Sequence, residues 1–386
     1  MSGLQRVCVL PGDGIGIEVT EAVLPVFQAL ALPIELRLGE IGWACWRGEG
    51  DSVPAATWQA IGQCDATLLG AITSKPLHEA QAELPVHLRS VSRHYLSPVI
   101  QLRQRLGLFA NVRPIDDILD ERFRFTVIRE NTEGLYAGLD FAHVPEAVEP
   151  LLEQRERHGA AWTRTGREDA AVTLRLQTRH GVARLLRFAF EHAVANGFDR
   201  LTLADKPNVL RHSGAFVRQI LEETAADYPQ IHACIENVDA VAMWMVRRPE
   251  RFGVIVAENM FGDILSDLGA GLMGGLGLAP SANFGEGTAY FEPVHGSAPT
   301  YAGFDKANPS AMFLSTALML DHLGHGHAAQ AIRAAVKQVM RSDLRTYDLG
   351  GRAGTREVAG RIIELSQSLC ARAQSSVAPA TSGVPA

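Results

Sequence analysis

The sequence predicts an α/β fold larger than a single core. Three observations lead there: short apolar runs alternate with helical periodicity, a glycine-rich turn follows the first run, and the chain has 386 residues. The first run, Val7 to Leu10, reads as a buried strand ending in Pro11-Gly12-Asp13-Gly14-Ile15-Gly16. From Glu18 to Leu32 the apolar spacing is helical, with Pro25 interrupting it. Further strands are expected at Ala66 to Gly70, Phe125 to Arg129, Leu201 to Ala204 and Val254 to Ala257, each leading into a loop or helix. After the last comes Asn259-Met260-Phe261-Gly262-Asp263-Ile264-Leu265-Ser266-Asp267, where a helix is expected to start beyond Gly262. A dinucleotide-binding turn would need a third glycine where Ile17 stands, so a standard Rossmann fold is not expected.

With 47% hydrophobic and 20% charged residues and a mean hydropathy of +0.02, the composition is that of a soluble globular protein. No apolar run reaches bilayer length and the start Met1-Ser2-Gly3-Leu4-Gln5-Arg6 has no signal-peptide pattern, so no membrane partner and a cytoplasmic location are expected. A net charge of −7 leaves no electrostatic footprint for nucleic acid, and any anionic ligand must be held by local arginines. Cys8, Cys45, Cys64, Cys234 and Cys370 are scattered, without a Cys-x-x-Cys pair, which argues against a disulfide framework or zinc site. The Ala-, Ser-, Pro- and Thr-rich end, residues 373–386, is expected to be a disordered tail.

Asp263 and Asp267 fall four residues apart, on one face of the expected helix, where two hard oxygen donors suit Mg²⁺ or Mn²⁺. Alone, such a pair is more often two acids complementing a helix dipole, and the neighbouring residues change that weighting. Arg103, Arg113 and Arg129 flank a hydrophobic turn and a strand end, positions from which guanidinium forks suit a substrate with more than one carboxylate. Lys206, just beyond an apolar strand, suits a general base if it is partly desolvated beside a metal.

Five blocks in this order resemble the β-decarboxylating dehydrogenases, the family of isocitrate, homoisocitrate, 3-isopropylmalate and tartrate dehydrogenases. They are Pro-Gly-Asp-Gly-Ile-Gly from Pro11, Arg-Glu-Asn-Thr-Glu-Gly-Leu-Tyr from Arg129, Asp-Lys-Pro-Asn-Val-Leu from Asp205, the block from Asn259, and Glu-Pro-Val-His-Gly-Ser-Ala-Pro from Glu292. The resemblance covers Val7 to about Leu369. It implies an isopropylmalate dehydrogenase-like two-lobe fold. Residues 1–108 and 274–372 would form a large lobe, residues 109–273 a small lobe, and residues from about 143 to 177 an arm clasping a second subunit. It also implies a homodimer or higher homo-oligomer, with Lys206 and Asp239 reaching into the neighbour's site. Asp239, Asp263 and Asp267 would hold the metal, Lys206 would take the 2-hydroxyl proton, and Tyr136 would protonate the carbon left by CO₂. Ser97, Arg103, Arg113, Arg129 and Asn208 would bind a di- or tricarboxylate substrate. For the cofactor, NAD or NADP, the resemblance points to Ile15, Thr73, Glu292, His295, Gly296, Thr300, Tyr301, Asn308 and Tyr347.

Thr300 stands where NAD-preferring relatives commonly have an acid, and Tyr301 and Tyr347 match tyrosines that contact the 2′-phosphate in NADP-dependent ones. The lysine and arginine that usually accompany them are absent, Arg352 lies one residue beyond the expected arginine, and the choice stays open. Ser97 with Val99 resembles homoisocitrate enzymes more than isocitrate ones. The expected substrate is therefore homoisocitrate-like or isocitrate-like. Alternatives are 3-isopropylmalate, tartrate or malate, or a phosphonate-like anion met by Arg89, Arg93 and His94, within or just after the long stretch from Lys75 to Ser92, itself expected as a solvated loop. A regulatory subunit would carry a damaged Lys206, Tyr136 or aspartate set, and none is damaged.

Overall fold

The computed structural model describes residues 4–89, 94–156 and 166–377. In chain order the strands are β1 (Gln5–Gly12), β2 (Ile34–Leu38), β3 (Ala66–Ala71), β4 (Ala110–Asp116), β5 (Arg124–Glu130), β6 (Asp140–Phe141), β7 (Val172–Thr173), β8 (Arg200–Asp205), β9 (His232–Asn237), β10 (Val254–Ala257), β11 (Pro280–Phe284) and β12 (Ala289–Pro293). Ten of them form one sheet in the order β2-β1-β3-β12-β11-β4-β5-β10-β8-β9. One half, β1, β2, β3, β11 and β12, comes from the two chain ends, and the other half from the middle. Both outer portions are parallel, whereas β12, β11, β4 and β5 run antiparallel across the centre.

The parallel strands are covered on both faces by helices and so read as continuous apolar runs, β3 and β10 being buried at every residue. The helix Ile15–Val23 sets Val19 and Val23 against Val7, Val9 and Leu68 in the main core, which also takes in Ile362 of the helix Thr355–Val377. At Pro25 the first helical run breaks, and a separate short helix spans Pro25–Ala29.

Three sequence expectations are corrected. The helix bearing Asp263 and Asp267 spans Asn259–Met273, beginning before Gly262, because the Glu258 carboxylate accepts from Phe261 N at 3.2 Å and caps it earlier. The final helix runs on to Val377, into the expected tail. The stretch after Lys75 is not all solvated loop. A helix at Leu77–Glu83 buries Ala80, which together with Leu84 packs on Trp46. Residues 90–93, with Arg93, and the rest of the tail lie outside the described residues. The stretch expected as an arm contributes β7, which pairs with the preceding β6 as a two-stranded ribbon apart from the main sheet, and a helix at Glu149–Glu156.

Candidate active site

β4, β5 and the helix Asn259–Met273 bring the candidate residues together. Asn111 and Arg113 alternate with Val112 and Pro114 along β4, so both polar side chains share one face. On neighbouring β5, Arg129 lies under the helix, and a Cβ at Gly262 would come within 2.7 Å of Arg129 Cβ, so glycine sets how closely helix and strand approach. Arg129 Nη1 donates to Asp263 Oδ1, and its Nε and Nη2 donate to Asn259 Oδ1 at 3.0 and 2.8 Å. Arg113 Nη1 donates to Asp267 Oδ1 at 2.8 Å and to Ser266 Oγ at 2.7 Å, while its Nη2 lies 3.7 Å from Asp263. Both guanidiniums are buried, whereas the side chains of Asp263 and Asp267 are 34% and 55% exposed and reach solvent beside them.

Arg103, from the helix Pro98–Arg105, completes the cationic wall. Its Nη2 is 3.5 Å from Glu292 Oε1, which also accepts from Tyr290 Oη at 2.9 Å, and its Nε is buried without a partner. Burial, then repulsion from Arg103 and Arg113, lowers the Arg129 guanidinium to about 9. Arg113 is likewise lowered by burial and by Arg103. Arg113 and Arg129, buried and repelled by Arg103, sit where a bound anion would relieve that repulsion. Tyr136, exposed, has its ring centroid 5.8 Å from the Arg129 guanidinium. Ser97 directly precedes the helix of Arg103, its Oγ 2.8 Å from Ser74 Oγ.

Lys206 and Asp239 form their own ion pair, Nζ to Oδ1, at the ends of β8 and β9. Lys206 holds the Asp239 carboxylate below its usual range. Among the described residues no three His, Cys, Asp or Glu side chains converge as a metal cluster, so one chain brings Asp263 and Asp267 together but not Asp239. Their chemistry nonetheless fits a hard divalent cation, with two adjacent carboxylates on one helix face and open coordination on the solvent side. Asn208 is exposed in the turn after Lys206.

Of the candidate cofactor residues, Ile15 and Thr73 both contact Ser297 beside the loop that follows β1. Asp13 organises this loop, accepting from Trp43 N at 2.8 Å and Thr73 N at 2.9 Å, while Thr73 Oγ1 meets Ser297 Oγ at 2.6 Å. Ile15 N donates to Ser297 O at 2.8 Å. His295 Nδ1 lies 3.0 Å from Gly296 O, its Nε2 is buried without a partner, and burial lowers its pKa. Asn308 Nδ2 donates to Asp348 Oδ2 at 3.1 Å. Thr300, Tyr301 and Tyr347 are exposed. The orphaned His295 ring nitrogen and the exposed rings of Tyr301 and Tyr347 are groups that a dinucleotide could engage.

Sequence reasoning missed several residues. Lys306 Nζ sits 6.0 Å from the Tyr347 ring centroid, a cation beside the tyrosines other than the Arg352 that the sequence offers, and only its place five residues after Tyr301 signals it. Arg175 bridges two carboxylates, with Nη2 2.9 Å from Asp205 Oδ1 and Nε 4.0 Å from Glu258 Oε2. Arg89, offered as an anion contact, donates instead to Leu84 O and Ala82 O at 2.7 and 2.8 Å, and His94 is exposed.

The model of the family "Isocitrate/isopropylmalate dehydrogenase" matches residues 6–362. Protein DlpA of Legionella pneumophila is 55% identical over 93% of this chain, which spans 58% of DlpA's length. The 3-isopropylmalate dehydrogenase of Methanothermobacter thermautotrophicus is 40% identical, over 93% of this chain and 97% of the relative. The crystal structure of isocitrate dehydrogenase from Methylococcus capsulatus superposes with a TM-score of 0.79 at 35% identity, covering 94% of this chain and 99% of that one. These relatives share the architecture and differ in named substrate. The chain belongs to the isocitrate/isopropylmalate dehydrogenase family and is a β-decarboxylating dehydrogenase.

Proposed function

We propose that the enzyme oxidises and decarboxylates a homoisocitrate-like or isocitrate-like 3-carboxy-2-hydroxy acid to a 2-oxo acid and CO₂, as a homodimer using NAD⁺ or NADP⁺ and Mg²⁺ or Mn²⁺. The observation that carries this reading is the convergence of Arg103, Arg113 and Arg129 on Glu292, Asp263 and Asp267. Three cations and three anions balance there, and a divalent cation arriving with a di- or tricarboxylate keeps the buried charge close to balanced.

When bound, a divalent cation on Asp263, Asp267 and a second subunit's copy of the Asp239 carboxylate would polarise the substrate's 2-hydroxyl and adjacent carboxylate, and the nicotinamide would accept the hydride. The protein's own groups do the rest. Arg103, Arg113 and Arg129 hold the substrate carboxylates, with Ser97 and Asn208 at the edge. With Asp239 committed to the cation, Lys206 would lose its ion pair, give its ammonium proton to solvent, and as the neutral amine take the hydroxyl proton. After CO₂ leaves, the Tyr136 hydroxyl donates a proton to the vacated carbon. Ile15, Thr73, Glu292, His295, Gly296 and Asn308 would line the dinucleotide, and Thr300, Tyr301, Tyr347 and Lys306 its adenosine ribose.

The test is NAD(P)H formation with Mn²⁺, crossing NAD⁺ and NADP⁺ against isocitrate, homoisocitrate, 3-isopropylmalate, tartrate and malate, with EDTA controls. Rapid turnover of one tricarboxylate, abolished by EDTA, is expected. Lys206→Met and Asp263→Asn should each lower kcat by orders of magnitude with the fold intact, and near-normal activity in either removes the mechanism. Turnover of 3-isopropylmalate, tartrate or malate alone would shift the substrate class. Silence with a folded dimer would point to another anion, such as a phosphonate.

A further inference from the structure

Pro114 and Asp116 alternate with Arg113 on β4 and line a cavity on the opposite face of the sheet from the arginine cluster. Its volume is about 460 Å³, within the range of small-molecule sites. The floor is apolar, from Phe123, Met273, Leu314, Leu318 and Val336. The cavity's wall comes from the middle of the chain and from its C-terminal part, and Met273 is the last residue of the helix that begins at the candidate active site.

The charges on this wall are mostly paired. Arg122 donates to Asp117 at 2.6 Å, Lys337 pairs with Glu121, Arg333 donates to Asp321 at 2.5 Å, Glu250 accepts from Arg248 at 3.2 Å, and Arg124 Nη2 donates to Asn196 O at 2.7 Å. Asp116 differs. Its Oδ1 is buried and accepts no hydrogen bond, and Arg124, Arg333 and Lys337 act on it only from beyond ion-pair distance. Burial pushes this carboxyl up from its usual range. A buried, unpartnered acid oxygen calls for a strong donor, and an ammonium supplies both hydrogen bonds and charge. The three nearby cations disfavour a simple amine but attract a ligand that also carries a carboxylate, and the floor asks for an apolar body.

We propose that this cavity binds a small apolar zwitterion of the α-amino acid class, its ammonium on Asp116, its carboxylate toward Arg124, Arg333 and Lys337, and its side chain on Met273, Leu314 and Leu318. The site is independent of the dehydrogenase chemistry, so binding is read without turnover. Full-length protein is titrated calorimetrically, and melted, with L-leucine and L-phenylalanine, their N-acetyl forms and the matching amines lacking the carboxylate. Saturable binding and a raised Tm are expected for the free amino acids alone. Asp116→Asn should weaken binding by about tenfold or more, and Leu318→Trp, which fills the floor, should abolish it while circular dichroism stays unchanged. Absence of saturable binding overturns the proposal, as does equal binding of the N-acetyl forms or amines. Binding that survives in both variants overturns it too, because the ligand then sits elsewhere.

Discussion

At Gly134 a hydrogen is all the backbone tolerates as a side chain. Its φ is +89°, a Cβ would fall on the Glu258 carboxylate, and Asn259 Cβ would lie 3.2 Å away. Glu258 is the cap of the helix bearing Asp263, and its Oε2 accepts from Leu135 N at 3.2 Å, next to Tyr136. Gly134→Ala should cost roughly 1–3 kcal/mol in urea unfolding and lower kcat more than the substrate KM, since it displaces the proton donor and the helix start together. An unchanged kcat would mean that the loop relaxes without moving either. A different single residue governs acid stability. His192, stacked on Phe188, is held down at about 4 against an ordinary 6.5, by burial first and by Arg124 second. The unfolded chain takes up this proton below pH 6.5 and the folded one only near pH 4, so stability present above 6.5 is lost as the pH falls toward 4. The full effect is on the order of 3 kcal/mol. His192→Phe keeps the stack and should flatten the fall of urea midpoints between pH 7 and 4, and an unaltered slope would assign it to other groups such as His322, which burial also lowers.

At the scale of elements, Arg175 ties the stretch between β7 and the helix Arg179–Ala195 to two parts of the site at once. Asp205 ends β8 directly before Lys206, Glu258 caps the helix of Asp263 and Asp267, and the Arg175 guanidinium reaches both while lying 5.3 Å over the Phe261 ring. Removing it leaves buried Asp205 uncompensated, a change worth about 3–5 kcal/mol. Arg175→Met should therefore lower Tm, cut kcat about tenfold or more and raise the Mn²⁺ concentration needed for half-maximal rate, and Arg175→Lys should recover part of each. A loss of Tm alone, with the Mn²⁺ response unmoved, would make the bridge merely structural. Such long-range ties are invisible in sequence, because a lone arginine in a charged stretch reads as surface. The outer strands β1, β3, β8 and β10 were legible since burial on both faces leaves unbroken apolar runs. The central β4, β11 and β12 were not, because Asn111, Arg113, Asn283 and Glu292 break the apolar pattern for the sake of a buried polar network, Asn111 Nδ2 donating to Asn283 Oδ1 at 2.7 Å. The expected helix start beyond Gly262 is late for a similar reason: a glycine lowers helical propensity, whereas here it is the point where the helix crosses Arg129. The acids and arginines stood out as motifs, but which guanidinium met which carboxylate depended on the strand register.

The whole molecule sets the last question, because one chain holds the helix carboxylates in one place and the Lys206–Asp239 pair in another. The helices Val238–Arg247 and Asn259–Met273 pack together and leave Met243, Val246 and Ile264 exposed, apolar surface of the kind that a subunit contact covers. If a two-fold axis passes beside these helices, each site takes Asp263 and Asp267 from one chain and Lys206 and Asp239 from the other. Mixing two dead variants decides the matter. In a heterodimer of Lys206→Met with Asp263→Asn, one site receives both intact groups and the other receives both lesions. Random exchange makes half the dimers mixed, each with one working site of two, so activity should return to about a quarter of wild type. If each chain instead supplies its own lysine and aspartates, every site in the mixture keeps one lesion and nothing returns. Val246→Asp with Ile264→Asp should give monomers in sedimentation velocity, and mixing Lys206→Met with Asp263→Asn in that background should restore no activity, tying the recovery to the interface rather than to residual turnover of either variant.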